Sequence, residues 1–381
     1  MMNFSFATAT KIIFGSHALE KMPTLVGSFS KKVLLVTGSS GRRDSELAKK
    51  LKPGTEVTFF KVESEPSTHM ITQGMQLAHE KKCEVVLALG GGSVIDAAKA
   101  IAAMATNRGE LMDYLEVIGR GKPLLAKPLP CIAVPTTAGT GAEVTKNSVI
   151  KSPENNVKVS LRSDYMYPDV AVVDPLLTLS MPPELTASTG VDAFTHLQET
   201  FVSNKSNPFI DMICREGLKR ISRSLLKAFS DGDDIEARED MAMASMLGGM
   251  ALANVKLGAV HGFAGPMGGM FPIPHGTVCA SLVSAVIETN IEALTAQNGD
   301  LSKYSELAKI LTQNERAEAK ESIRWVEEVV TYLKIPSLAS FGLGRKDFPI
   351  LVQKAKVASS MKGNPVVLEE EQLNQILEKS L

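Results

Sequence analysis

Asp192 and His196 stand four residues apart in the run Gly190-Val191-Asp192-Ala193-Phe194-Thr195-His196. On a helix that spacing leaves a carboxylate and an imidazole about 40° apart on one face. Phe194, Leu197 and Phe201 fall about 140° to 200° away, so the same helix carries an apolar side, while Glu199 shares the polar stripe. Alone, such a pair is equally well a buried hydrogen bond. His261 and His275 enlarge the set. Each precedes a glycine, and the stretch between them (Phe263 to Pro274) is poor in charge and rich in glycine and proline, which reads as a loop unlike a solvated surface. One carboxylate and three imidazoles suit a divalent first-row metal, Fe2+ or Zn2+, with a position left open for substrate. His17, His69 and His79 are isolated and read as surface or packing residues.

A second kind of chemistry lies earlier in the chain. Gly90-Gly91-Gly92-Ser93 sits between a strand-like run and a helix-like one, where backbone N–H groups and a helix N-terminus favour an anion such as a diphosphate. It matches neither the GxGxxG fingerprint nor the Walker A pattern. Pro135 to Thr145, with four hydroxyls and two glycines, follows another strand-like run and offers groups for a phosphate or a ribose. In open parallel sheets ligands bind beyond the carboxyl ends of strands, where both loops fall. A tight turn explains either loop singly; together they point to a nucleotide. The turn Thr37-Gly38-Ser39-Ser40-Gly41-Arg42-Arg43 refines the reading. Enzymes preferring NAD commonly hold the ribose with a carboxylate at such a place. Here Gly38, Ser39, Ser40 and Arg42 stand there instead, groups that suit an extra phosphate, so NADP(H) is favoured over NAD(H).

These sites need elements to hold them. Val33–Val36, Val57–Phe60, Val85–Leu89 and Cys131–Val134 read as strands; Ser45–Leu51, Thr68–Glu80 and Ser93–Met104 read as helices between them. The alternation predicts βαβ units and a mostly parallel sheet. Near Met181-Pro182-Pro183 strand-like runs give way to helical patterns over about 184–203, 209–229, 234–256, 277–295, 317–334 and 366–379. The expected architecture is therefore an α/β dinucleotide-binding domain over residues 1–180 and an all-helical metal-binding domain over 181–381. A length of 381 residues accommodates two domains.

Composition narrows the class. Lys and Arg total 41 against 42 Asp and Glu, a net charge of −1, which gives no general attraction for nucleic acid or an anionic membrane. Hydrophobic residues at 44% and charged ones at 22% match a folded globular chain. No targeting signal or bilayer-spanning run is evident, so a cytoplasmic location is expected. Cys83, Cys131, Cys214 and Cys279 form no CxxC pair, which argues for a reducing compartment and against a cysteine-ligated zinc or cluster.

Over nearly its whole length the chain resembles the iron-activated (type III) alcohol dehydrogenase family. The resemblance is carried by Gly90 to Lys99, Pro135 to Thr145, Gly190 to His196 and His261 to Gly276. It implies hydride transfer between nicotinamide C4 and an alcohol or aldehyde held at the metal, with the active site in a cleft between the two domains. It implies metal ligation by Asp192, His196, His261 and His275. Cofactor contacts are implied at Gly91, Gly92, Ser93, Thr136, Thr137, Thr140 and Val149, with Lys158 reaching toward the cofactor. It also implies a homodimer, and no side-chain acid or base is assigned. Many members carry a further histidine four residues after the third ligand; here that position is Gly265. Two other readings compete. A dehydroquinate synthase-like cyclase needs several basic residues around a polyanion, and the His261 to His275 stretch supplies none. A non-catalytic nucleotide- or metal-binding protein predicts binding without turnover. Phe263, Met267, Met270 and Phe271 suggest either an apolar approach to the metal or a core.

Overall fold

In the first half, aliphatic runs without polar alternation form strands buried on both faces, as parallel sheets require. A computed structural model of the chain describes residues 3–381 apart from Ser40, Arg42 and Asn156. Two units emerge. One comprises residues 7–137 and 141–178; the other comprises 179–381, residues 138–140 and residues 3–6.

The first unit contains β1 (Lys11–Phe14), β2 (Lys32–Gly38), β3 (Glu56–Val62), β4 (Val85–Gly90), β5 (Cys131–Pro135), β6 (Asn147–Ser152), β7 (Val157–Arg162) and β8 (Val170–Val173). Six of them form one sheet in the order β1-β8-β5-β4-β2-β3, and every pairing in it is parallel. β6 and β7 make a separate antiparallel ribbon. Its helices are α1 (Met22–Phe29), α2 (Asp44–Lys50), α3 (Thr68–Glu80), α4 (Gly92–Met104) and the short α5 (Leu111–Tyr114). Val33 to Val36 and Val85 to Ala88 are wholly buried, and α4 is buried from Ile95 to Met104 except at Asp96. β2 is flanked by β3 on one side and β4 on the other, so the chain reverses its direction of winding between β2 and β4. Crevices at such switch points receive ligands at the carboxyl ends of the strands.

The second unit is helical: α6 (Pro183–Val202), α7 (Pro208–Ser230), α8 (Ile235–Asn254), α9 (Ala259–Met270), α10 (His275–Ala296), α11 (Ser302–Thr312), α12 (Glu321–Tyr332), α13 (Phe348–Val357) and α14 (Glu370–Ser380). α6 starts at Pro183, whose missing N–H costs nothing in a first turn. From Gly190 to Val202 it is buried on all sides, with α7, α8 and α10 packed around it. The apolar face of Phe194, Leu197 and Phe201 is thus one part of a central helix. By length and composition α10 could cross a bilayer, yet 72% of that window is buried within the protein.

The loop expected between His261 and His275 is largely helix. α9 runs through Gly262, Gly265, Pro266, Gly268 and Gly269 because its surroundings are apolar and close, which outweighs low intrinsic propensity. Phe263 and Met267 are fully buried core residues, and Met270 and Phe271 pack partly buried against them. α11, α13, β1, β8 and the β6–β7 ribbon have no counterpart in the sequence reading.

Candidate metal and cofactor sites

Three helices of the second unit bring the predicted metal-binding residues together. α6 supplies Asp192 and His196, α9 supplies His261 in its first turn, and α10 begins with His275. Asp192 Oδ1 lies 3.8 Å from His196 Nε2, 3.7 Å from His261 Nε2 and 3.5 Å from His275 Nε2. The rings of His196 and His261 stack with centroids 4.7 Å apart, and those of His261 and His275 are 5.3 Å apart. Side-chain exposure is 3% for Asp192, 6% for His196 and 7% for His261 but 38% for His275, so the cluster opens on the His275 side.

The electrostatics fit a cation. Asp192 Oδ1 is buried and makes no hydrogen bond. A buried carboxylate oxygen without a donor is costly unless a positive charge faces it. Burial alone would raise the Asp192 carboxyl, but the neighbouring His196, His275 and His261 outweigh it and hold it well below the usual carboxylate range. Burial pulls the His196 imidazole down to about 3 despite Asp192, so it is neutral and keeps a lone pair for a metal. Around a tetrahedral ion with bonds of about 2.0–2.2 Å, neighbouring donors stand roughly 3.3–3.6 Å apart. The oxygen-to-nitrogen distances here are within a few tenths of that.

Glu199 supports the group from behind. Its Oε2 lies 2.7 Å from His261 Nδ1, and its Oε1 accepts the Val260 N–H at 2.7 Å. Sequence reasoning placed Glu199 on the polar stripe but gave it no task; its seven-residue spacing from Asp192 was the available signal. The absence of a CxxC pair argues against a cysteine ligand, yet Cys279 Sγ lies 3.8 Å from Nε2 of both His261 and His275. The i, i+4 spacing of His275 and Cys279 was the signal there. The remaining histidines are engaged locally in the first unit: His17 beside Glu20, His69 with Gln73 and His79 with the Ala105 carbonyl.

In the first unit Gly38, Ser39, Gly91, Gly92, Ser93, Thr136 and Thr137 sit at the carboxyl edge of the sheet, whereas Val149 and Lys158 lie on the β6–β7 ribbon. Gly91 is the N-cap of α4, directly after β4, and Gly92 and Ser93 open the helix. A Cβ at Gly91 would come within 3.2 Å of Thr137 Oγ1, so this glycine brings the two loops into close approach. Thr136 follows β5 and donates its N–H to the Gly90 carbonyl at 3.0 Å. Gly38 ends β2, with Ser39 just beyond it. The Ser40 and Arg42 expectations lie outside the described residues. Arg43 Nη1 donates to the Leu177 carbonyl at 2.6 Å. Thr140 belongs with the helical unit. The Val149 N–H donates to Asp96 Oδ2 at 2.9 Å while its side chain is 39% exposed. Lys158 Nζ is paired with Glu65 Oε1 at 2.6 Å. Lys99, fully buried on α4, donates to Thr145 Oγ1 and the Ala142 carbonyl at 3.0 Å, and so anchors the second loop.

Comparison with known proteins gives this geometry a family. The profile described as "Iron-containing alcohol dehydrogenase" matches residues 9–175, and that of the Fe-containing alcohol dehydrogenase family, C-terminal, matches 186–381. The chain belongs to the iron-containing alcohol dehydrogenase family. It is an oxidoreductase, a nicotinamide-linked alcohol dehydrogenase, and Fe2+ and NAD(H) are the metal and cofactor that this family implies. Alcohol dehydrogenase 4 of Saccharomyces cerevisiae is 36% identical over 377 residues, covering 96% of each chain. The 1,3-propanediol dehydrogenase of Klebsiella pneumoniae is 32% identical over 395 residues, covering 99% of this chain and 98% of its own. A solved 1,3-propanediol oxidoreductase superposes with a TM-score of 0.92 at 31% identity over the full length of both chains.

Proposed function

We propose that Asp192, His196, His261 and His275 hold a divalent metal and that the protein interconverts small primary alcohols and aldehydes with NADP(H). The observation that carries this reading is the buried, unpartnered Asp192 Oδ1 facing three imidazole Nε2 atoms. When bound, the metal supplies Lewis acidity toward the substrate oxygen. The chain's own residues do the rest. Asp192 brings a fixed negative charge, His196 a neutral imidazole, and Glu199 orients His261. The exposed flank of His275 leaves an approach for substrate.

We assign cofactor binding to the α/β domain (residues 1–180) and metal binding to the helical domain (181–381). Gly91, Gly92 and Ser93 offer the N-terminus of α4 to the diphosphate. Thr136, Thr137, Thr140 and Val149 line the path of the cofactor, and Lys158 reaches it by exchanging its partner Glu65. At the end of β2 no carboxylate follows directly. Asp44 is taken by a 2.8 Å hydrogen bond from Thr37 Oγ1, and a Cβ at Gly41 would be 3.3 Å from Lys61 Nζ. A lysine amine beside this turn supports NADP(H). The relatives named for 1,3-propanediol favour a short primary alcohol. Gly265 has nothing within 4 Å of where a side chain would begin, which leaves room that a histidine would fill. A cytoplasmic homodimer accords with the composition and the family.

The test is a spectrophotometric screen of NADPH and NADH against an aldehyde panel, with Fe2+ or Zn2+ restored to stripped protein. Consumption of NADPH that requires the metal, and its abolition together with bound metal in His261→Ala, are expected. Full activity of the metal-stripped protein would sink the proposal.

A further inference from the structure

Beside the Asp192 carboxylate and the imidazoles of His261 and His275 stands a further side-chain donor, the thiol of Cys279. Cys279 follows His275 by one turn of α10, so both project from the same face. Its Sγ is fully buried and stands 3.8 Å from Nε2 of His261 and 3.8 Å from Nε2 of His275. Together with Asp192 Oδ1, these donors all lie within 4.8 Å of one another, and no other cysteine among the described residues joins the group. The Asp192 oxygen is a second feature suited to a cation, since it is buried without a hydrogen-bond donor. A tetrahedral ion bonded to sulfur at about 2.3 Å and to nitrogen at about 2.0–2.1 Å sets sulfur and nitrogen roughly 3.5–3.6 Å apart. Cys279 is within a few tenths of an ångström of that spacing from two imidazoles at once.

We propose that Cys279 Sγ is a donor to the metal ion, which gives the site an oxygen, nitrogen and sulfur ligand set. The inference rests on the reading of this cluster as a metal centre. A soft sulfur donor biases the choice among divalent ions toward zinc and cobalt and away from magnesium and manganese, which prefer oxygen. The site then differs in kind from one built of imidazole and carboxylate alone.

Cobalt makes the sulfur visible. Stripped full-length protein is loaded with Co2+, and bound cobalt is counted by elemental analysis and by its visible ligand-field bands. The expected result is an additional near-ultraviolet sulfur-to-cobalt charge-transfer band, lost in Cys279→Ser and Cys279→Ala and retained in Cys214→Ser. Bound cobalt without that band, or a band that survives in Cys279→Ser, overturns the inference and leaves the metal centre standing. Failure of the native protein to retain cobalt or zinc overturns the metal centre and the inference with it. X-ray absorption at the zinc edge of the zinc-loaded native sequence needs no variant: a sulfur scatterer at about 2.3 Å is expected, and a shell of nitrogen and oxygen alone overturns the proposal.

Discussion

His261 Nδ1 and Glu199 Oε2 lie 2.7 Å apart, and both are buried. Because the other Glu199 oxygen accepts the Val260 N–H, the carboxylate is tied to the same turn of α9 that carries the ring. The contact directs the imidazole proton to Nδ1 and leaves Nε2 facing Asp192. Partners of this kind fix the tautomer of a metal-binding histidine and raise its basicity. Glu199→Gln should therefore weaken metal binding by about 10- to 100-fold while leaving the fold intact. Competition against a chelator measures the affinity, and circular dichroism monitors the fold. Unchanged affinity would remove Glu199 from the site.

The residues proposed to bind the metal were legible because three of them are histidines in a chain with only six, and because Asp192 and His196 share a helical face whatever the tertiary structure does. The parallel sheet was legible too, since Val33–Val36 and Val85–Leu89 lack the alternation of a half-exposed strand. Elements decided by tertiary context were not. α9 contains four glycines and a proline, so its local preferences argue against a helix that packing against α10 and α13 nevertheless maintains. Cys279 escapes a search for cysteine motifs for a related reason. Motif spacing finds pairs of cysteines, whereas this thiol acquires its neighbours from His275 one turn away and from His261 on another helix.

Glu143 offers a pH test in the α/β unit. It is 3% exposed, and burial pushes its carboxyl up to about 7, against the opposing influence of a backbone hydrogen bond and of Lys99. Between the ordinary value near 4.5 and about 7, the folded protein holds a proton that the unfolded chain has released. Stability from this group is thus full below about 4.5 and is lost as pH rises through 7. Glu143→Gln should remove that slope, so that the variant gains on the native protein by on the order of 2 kcal/mol between pH 5 and pH 8. Urea unfolding of both proteins at the two pH values checks it. A constant difference would show that Glu143 does not titrate in this window.

Gly38 is the position from which cofactor preference should be reversible. It ends β2 opposite Val62 of β3, and a Cβ there would meet only Val94 Cγ2, at an ordinary 3.8 Å. An aspartate fits, would accept hydrogen bonds from ribose hydroxyls and would repel an added phosphate. Gly38→Asp should shift the ratio of kcat/KM for NADPH over NADH by about tenfold toward NADH, the magnitude of one charge-assisted hydrogen bond. A native enzyme that already prefers NADH, or a ratio that does not move, would refute the NADP(H) assignment.

Gly276 and Gly265 make a matched pair around the proposed metal. A Cβ at Gly276 would stand 2.1 Å from the Ser188 carbonyl oxygen, a backbone atom of α6 that has no freedom to withdraw. Gly276→Ala must therefore push the start of α10 away from α6, and His275, the preceding residue, moves with it. Overpacking of this kind costs about 1–3 kcal/mol. Lower Tm and weaker metal binding are expected together, because one displacement causes both. Gly265 on α9 has open space around it, so Gly265→Ala should raise stability by about 0.5–1 kcal/mol through helix propensity and leave metal affinity unchanged. Calorimetry and metal titration on the two variants separate the effects. If Gly276→Ala lowered Tm but bound metal as tightly as the native protein, His275 would not need the position that α10 gives it, and its role as a ligand would fall.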